Sequence, residues 1–205
     1  MEYPGYGIYK GSPSADKILL DAENLYIYLT SVFGLEEENI LVFGRSIGSG
    51  PAVYLASKFH PRILLLISAY TSIKEVAKVL AGSIPAFFFA DRFRNIELIK
   101  SVRCPVLFIH GKMDTLIPHT QSIKMKEAAT MTKTKIILPP LMDHNTFHFH
   151  NDILYPITHF LSEQEVFTHR VRPAPSIIPG IDHEEDVKNG GQLNNFIRNM
   201  DKKNT

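Results

Sequence analysis

Five residues, Gly44-Arg45-Ser46-Ile47-Gly48, constrain this chain more than any others. They directly follow an apolar run over residues 39–43 and lead into a helical pattern over residues 50–59, with Pro51 early in it. A serine on a tight strand-to-helix turn asks for glycine on either side, because neighbouring backbone segments approach too closely for a Cβ. Such a turn exposes the Oγ and points the next helix's N-terminus at it. The partial positive charge there, with the Ile47 N–H, suits a developing oxyanion. The bland alternative is a glycine-rich turn that only joins strand to helix. Nucleotide-binding loops fail on the letters: a phosphate loop ends in Gly-Lys-Ser/Thr, whereas Gly50 is followed by Pro51. A dinucleotide fingerprint would need glycine where Ser46 stands.

Three more apolar runs, residues 62–68, 105–110 and 135–138, join 39–43 as strand candidates. Each lacks alternation, as expected of parallel strands covered by helices on both faces. Helical patterns occupy residues 15–33, 50–59, 119–129 and 151–161, the first with Ile18, Leu19, Ala22, Leu25, Tyr26 and Leu29 on one face. The order α-β-α-β-insert-β-α-β-α predicts an α/β fold, a mostly parallel sheet of about four strands with right-handed crossovers. The insert, residues 71–102, is longer than a simple crossover and reads as a short cap over a site. Composition breaks near residue 163, after which few large apolar side chains remain. Residues 1–162 therefore read as the folded domain and 163–205 as a polar, disordered tail with a short helix near 193–200.

With 22 Lys and Arg against 21 Asp and Glu, the chain has no field to gather phosphate backbones, which argues against a nucleic-acid partner. Cys104, the one cysteine, excludes an intrachain disulfide framework and a cysteine-built metal site. An intracellular, cytoplasmic setting is the expectation. No signal peptide is visible at the N-terminus, and no stretch is long and apolar enough to span a membrane.

A nucleophilic serine needs a base, and the base needs an acid, in the chain order Ser, Asp/Glu, His. The third apolar run leads into His110-Gly111-Lys112-Met113-Asp114, and the fourth into Met142-Asp143-His144-Asn145. Ser46, Asp114 and His144 thus each follow a different strand, at the carboxyl edge where α/β sites gather. Asp114 also suits a turn or helix cap, Asp143 is a weaker candidate acid, and His148, His150 and His159 are rival bases. A metal site at His144, His148 and His150 is disfavoured, because their spacing does not put three imidazoles on one helical face. Phe87-Phe88-Phe89 in the insert reads either as an acyl-pocket wall or as the core of a short helix.

Strand–GRSIG–helix, HGKMD and MDHN in this order resemble the α/β-hydrolase superfamily. More narrowly, the chain looks like its Bem-type group, which includes protein-depalmitoylating α/β-hydrolase-domain proteins. Tyr3-Pro4-Gly5-Tyr6-Gly7 resembles that group's Y-x-GYG segment, Ala69-Tyr70-Thr71-Ser72 its S-P-x-T-S, and Phe93-Arg94-Asn95-Ile96 its F-x-N-I. The likeness covers about residues 2–162. It implies Ser46 as nucleophile, Asp114 as acid, His144 as base and Ile47 as one oxyanion donor. It further implies hydrolysis of esters or of thioesters of acylated proteins at a membrane surface, without cofactor or metal.

The sequence begins after the point where the family's first three strands and its second oxyanion donor would stand, so the chain reads as an N-terminally truncated copy. Three expectations follow from this. One is turnover at least about two orders of magnitude below an intact relative. The second is an exposed strand edge at residues 39–43 that invites oligomers or aggregation. The third, as an alternative function, is a catalytically impaired remnant that acts as a binding or regulatory module.

Overall fold

The computed structural model describes residues 2–82 and 91–166, and Met1–Arg170 forms one compact unit. Phe87–Phe89, Ile84, the expected helix at 193–200 and the tail beyond residue 166 lie outside the described residues.

The elements follow the predicted order. Helix α1 (Ala15–Ser31) starts where the Ser14 side chain accepts a hydrogen bond from the Lys17 amide, which satisfies a donor the first turn would leave orphaned. Strand β1 (Leu41–Arg45) leads through a 3₁₀ turn (Ser46–Gly48) into α2 (Ser49–Lys58). Strand β2 (Ile63–Ile67) is followed by α3 (Ile73–Ala81), capped by Ser72, and the short α4 (Asn95–Leu98). Then come β3 (Val106–Ile109), α5 (Thr120–Ala128), β4 (Thr134–Ile137), a π-helical turn (Phe149–Leu154) and α6 (Tyr155–Glu163). Strand β1 starts two residues later than predicted, because Glu37–Asn39 close a 3₁₀ turn before it.

The four strands pair in parallel in the order β1-β2-β3-β4, with Leu41 opposite Ile63, Leu64 opposite Val106 and Val106 opposite Thr134. Side chains alternate between two cores. On one face Val42, Leu64, Leu66, Val106 and Phe108 pack against Tyr26 of α1, Ala52, Val53 and Ala56 of α2, and Met125 of α5. On the other Ile63, Leu65, Ile67, Leu107 and Ile109 meet Met142, Ile153 and the α6 residues Phe160 and Leu161. Strand β2, buried at every residue, is the centre of both.

Burial on both faces holds for β2 and β3 but not for the outer strands. In β1 burial alternates, with Leu41 40% and Phe43 54% exposed, and β4 is half-buried throughout. The second face is covered by α6, whose buried side chains join the cluster of β2 and β3; that cluster includes no residue of β1. Leu25, expected on the buried face of α1, is also exposed.

The insert clasps its own ends: the Ile73 amide donates to the Arg92 carbonyl and the Ile96 amide to that of Thr71. Buried Asn95 donates to the Tyr70 carbonyl at 3.0 Å. Ile73 and Val76 share a cluster with Ile117, which places the described part of the insert next to the loop after β3.

Among the described residues no strand pairs on the free side of β1. An apolar strand with one row of unpaired amides and carbonyls recruits other chains. The chain is therefore expected to elute as oligomers on size exclusion. Phe43→Lys, which puts a charge on that edge, should shift it toward monomer without lowering the unfolding midpoint. A monodisperse parent would show that the edge is protected.

Candidate active site at the carboxyl edge of the sheet

Ser46 follows β1 with a φ of 52°, in the left-handed region. A residue with a Cβ persists there, at a cost of order 1 kcal/mol or more, only where its surroundings over-determine it. Pairing of Arg45 with Ile67 fixes the chain on one side. On the other, the Ser49 hydroxyl donates to the Ser46 carbonyl at 2.8 Å, and the Tyr70 hydroxyl to that of Ile47 at 3.3 Å. The Ile47 amide comes next in the chain, at the turn that leads into α2.

His144 lies in the loop after β4, and its side chain is nearly buried. Its Nδ1 is 2.8 Å from Asp114 Oδ2, and its Nε2 is 3.0 Å from Ser46 Oγ. An ionised carboxylate only accepts hydrogen bonds, so Nδ1 carries a proton, and in that tautomer Nε2 is free to accept from the serine hydroxyl. Asp114 Oδ1 meanwhile accepts from the amides of Leu116 (3.1 Å) and Ile117 (2.8 Å). Burial on its own would raise the Asp114 carboxyl's pKa. Hydrogen bonds from His110, the Ile117 amide and His144 outweigh it and hold the group well below the usual carboxylate range. Because its pKa is depressed, Asp114 stays ionised at any pH above that range.

The structure thus brings together Ser46, Asp114 and His144, three residues from three loops. The rival candidates fall elsewhere. Asp143 Oδ1 accepts from the amides of Asn145 (2.7 Å) and Thr146 (2.6 Å), which makes it a turn cap. His148 and His150 are exposed at the π-helical turn, and His159 pairs with Glu163 on α6. Among the described residues no group of three or more His, Cys, Asp or Glu could hold a metal ion. Burial pushes the Cys104 thiol up to about 11, so it offers little thiolate near neutrality.

Two supporting residues escaped the sequence reading. Arg45, the variable second letter of GRSIG, donates to the carbonyl of His144 and lies 5.8 Å from the Phe147 ring centroid, tying the histidine loop to the serine turn. His110, fully buried at the end of β3, stands 3.3 Å from Asp114 Oδ2. A polar residue closing an apolar strand was the available signal for both.

The glycines divide in a way the motif does not announce. A Cβ on Gly44 would lie 2.5 Å from the Gly48 carbonyl and 2.6 Å from Ala52 Cβ. A Cβ on Gly111 would lie 2.0 Å from the Met142 carbonyl, so only glycine lets the Asp114 loop approach the His144 loop. On Gly48 a Cβ would meet only the Tyr3 hydroxyl, at 3.4 Å, an ordinary contact. The expectation that glycine is needed on both sides of the serine therefore holds for Gly44 and not for Gly48. Gly44→Ala and Gly111→Ala should each destabilise by about 1–3 kcal/mol. Gly48→Ala should be nearly neutral, and urea unfolding of the three variants separates them.

No protein-family model matches the chain. It is 28% identical over 165 residues to human alpha/beta hydrolase domain-containing protein 17B, which spans 80% of this chain and 56% of the relative. To alpha/beta hydrolase domain-containing protein aho-3 of Caenorhabditis elegans it is 32% identical over 160 residues, or 78% of the chain and 47% of the relative. The chain therefore spans about half the length of the curated relatives it matches. Among solved structures it is similar to an acetyl xylan esterase from Paenibacillus sp. R4, with a TM-score of 0.59, 15% identity, and 79% of this chain and 60% of that one covered. It is also similar to the acylaminoacyl peptidase of Pyrococcus horikoshii, with a TM-score of 0.56, 12% identity, and 74% and 27% covered. At such identities the solved structures speak for the fold alone, and the curated relatives carry the lineage. The four-stranded parallel sheet agrees with the fold of the solved structures, the curated relatives are named for the α/β-hydrolase domain, and the chain belongs to the α/β-hydrolase superfamily.

Proposed function

We propose that this chain is a serine hydrolase that cleaves an ester or thioester of an apolar acyl group, with Ser46 as nucleophile. The observation that carries the reading is the continuous contact from Ser46 Oγ through both nitrogens of His144 to Asp114. Ser46 Oγ attacks the acyl carbonyl while His144 Nε2 takes its proton. The C–O or C–S bond to the leaving group breaks, and Nε2–H protonates the departing oxygen or sulfur. Water then attacks the acyl-serine and loses a proton to Nε2; the acyl C–Oγ bond breaks, Nε2–H returns the proton to Oγ, and the acid leaves with Ser46 restored. Asp114 keeps the ring in the tautomer that makes Nε2 the acceptor and stabilises the transient imidazolium. The Ile47 amide is one oxyanion donor, with the N-terminus of α2 behind it. No step calls for a cofactor.

Two observations support an apolar acyl group. An open groove of about 490 Å³ between α1 and β1 reaches the serine turn, lined among others by Leu25, Leu29, Phe43, Ile47 and Leu55. In the insert, Val79 and Leu80 are 47% and 58% exposed on α3. Acylated proteins are the substrate we favour, by resemblance to the depalmitoylating group. Such a cytoplasmic enzyme would meet them at a membrane surface. Among the described residues no helix is long and apolar enough to cross a membrane.

A fluorophosphonate probe should label Ser46, and Ser46→Ala should abolish that labelling; labelling that survives would sink the assignment. Asp114→Asn should lower turnover about 10⁴-fold through loss of the correct tautomer. A folded chain that neither labels nor turns over ester would favour the binding-module alternative. Across p-nitrophenyl esters of increasing chain length, octanoyl should outperform acetyl, and the reverse order would count against an apolar acyl substrate.

A further inference from the structure

His110 is fully buried, and the reaction as written makes no use of it. A buried imidazole is costly unless its nitrogens find partners, and here each does. Nδ1 is 2.7 Å from the Ser122 hydroxyl on α5, which in turn lies 3.3 Å from the carbonyl of Ala69, just after β2. Nε2 is 2.7 Å from the Ile117 carbonyl and 3.3 Å from Asp114 Oδ2. Both of these partners are acceptors only, so Nε2 carries a proton. The Ile117 amide returns a hydrogen bond to Asp114 Oδ1 at 2.8 Å, closing a ring through His110, Ile117 and Asp114.

The ring bears on the orientation of the carboxylate. Oδ1 is held by two backbone amides of its own loop, Leu116 at 3.1 Å and Ile117 at 2.8 Å, so the position of Oδ2 is left to the partners it faces. Oδ2 faces two imidazoles from different directions, His144 Nδ1 at 2.8 Å and His110 Nε2 at 3.3 Å. His110 meets that loop at the Ile117 carbonyl and is also anchored outside it, through β3 on one side and Ser122 on the other. Among the described residues the charged or titratable groups facing His110 are Asp114 directly and His144 across it; α5 contributes the neutral Ser122.

Resting on the serine-hydrolase reading above, we propose that His110 is a positioning residue. Through Nε2 it holds the Asp114 carboxylate in the plane that aims Oδ2 at His144 Nδ1, and Ser122 fixes its own ring. It touches neither substrate nor Ser46, and acts through Asp114.

The test compares His110→Leu, His110→Gln and Ser122→Ala in the full chain, with the fluorophosphonate labelling rate at Ser46 and p-nitrophenyl octanoate kinetics as readouts. His110→Leu should lower the labelling rate and kcat about 10- to 100-fold with KM nearly unchanged, the scale of a small misplacement of a reacting group. His110→Gln, whose amide can donate where Nε2 stood, should recover much of the loss. Removing the donor from Oδ2 leaves more negative charge facing the imidazolium of His144. The acid limb of kcat/KM should therefore move to higher pH in His110→Leu, and partway in Ser122→Ala.

A residue that only fills space would lower Tm, leave the acid limb in place and make Leu at least as good as Gln. Parent-like rates in folded His110→Leu, or Gln no better than Leu, would overturn the proposal. Should the Leu variant fail to fold, Ser122→Ala decides: a slower rate with a shifted limb supports the positioning role, and an unmoved limb refutes it. Labelling that depends on Ser46 but not on His110 refutes this inference alone. Labelling independent of Ser46 refutes the reading beneath it.

Discussion

The two-sided burial of β2 is the constraint on which the rest of this molecule depends. All five of its residues are buried, Leu64 and Leu66 toward one core and Ile63, Leu65 and Ile67 toward the other. A strand without a wet face must have helices above and below it. Parallel neighbours then bring the loops after the strands to one edge of the sheet. Ser46 after β1, Asp114 after β3 and His144 after β4 meet because each follows a strand in that one sheet. The apolar sheet thus supplies the coordinate frame for a polar site.

Bringing three loops together also requires close backbone approach and matched hydrogen bonds. Gly44 and Gly111 serve the first need, at the serine turn and between the Asp114 and His144 loops. Arg45 serves the second by holding the His144 carbonyl, and so does the chain from Ala69 through Ser122 and His110 to Asp114. The positive φ of Ser46 is the visible strain in this arrangement, and the contacts of Ser49 and Tyr70 keep the turn from relaxing. A strained serine on a rigid frame is pre-organised: its hydroxyl and the Asp114 carboxylate are already within hydrogen-bond reach of the His144 imidazole.

The outer strands show where the same frame weakens. Strand β1 carries the serine, yet Leu41 and Phe43 are exposed and no described strand pairs on its free side. An apolar groove lies along α1 and β1 up to the turn. The strand that leads into the serine turn is thus bare on one face. That combination offers room for an apolar group beside Ser46 and a liability toward other chains.

Much of this was legible in the residues themselves. Apolar runs of four to seven residues separated by helical periods announce a parallel α/β sheet, because two-sided burial leaves no room for alternation. Gly-x-Ser-x-Gly between strand and helix, and Asp114 and His144 just past later strands, announce a candidate site, because loops after parallel strands share an edge. The tertiary structure decided what depends on distance between segments far apart in the chain. It made Asp143 a turn cap and Asp114 the partner of His144, a choice between two carboxylates of identical chemistry that only position can settle. It separated Gly44, which needs the missing Cβ, from Gly48, which does not, and it bared one face of β1. It also placed His110 beside Asp114. Residue type and spacing report what a side chain can do; which atoms it faces is set by the packing of helices on the sheet.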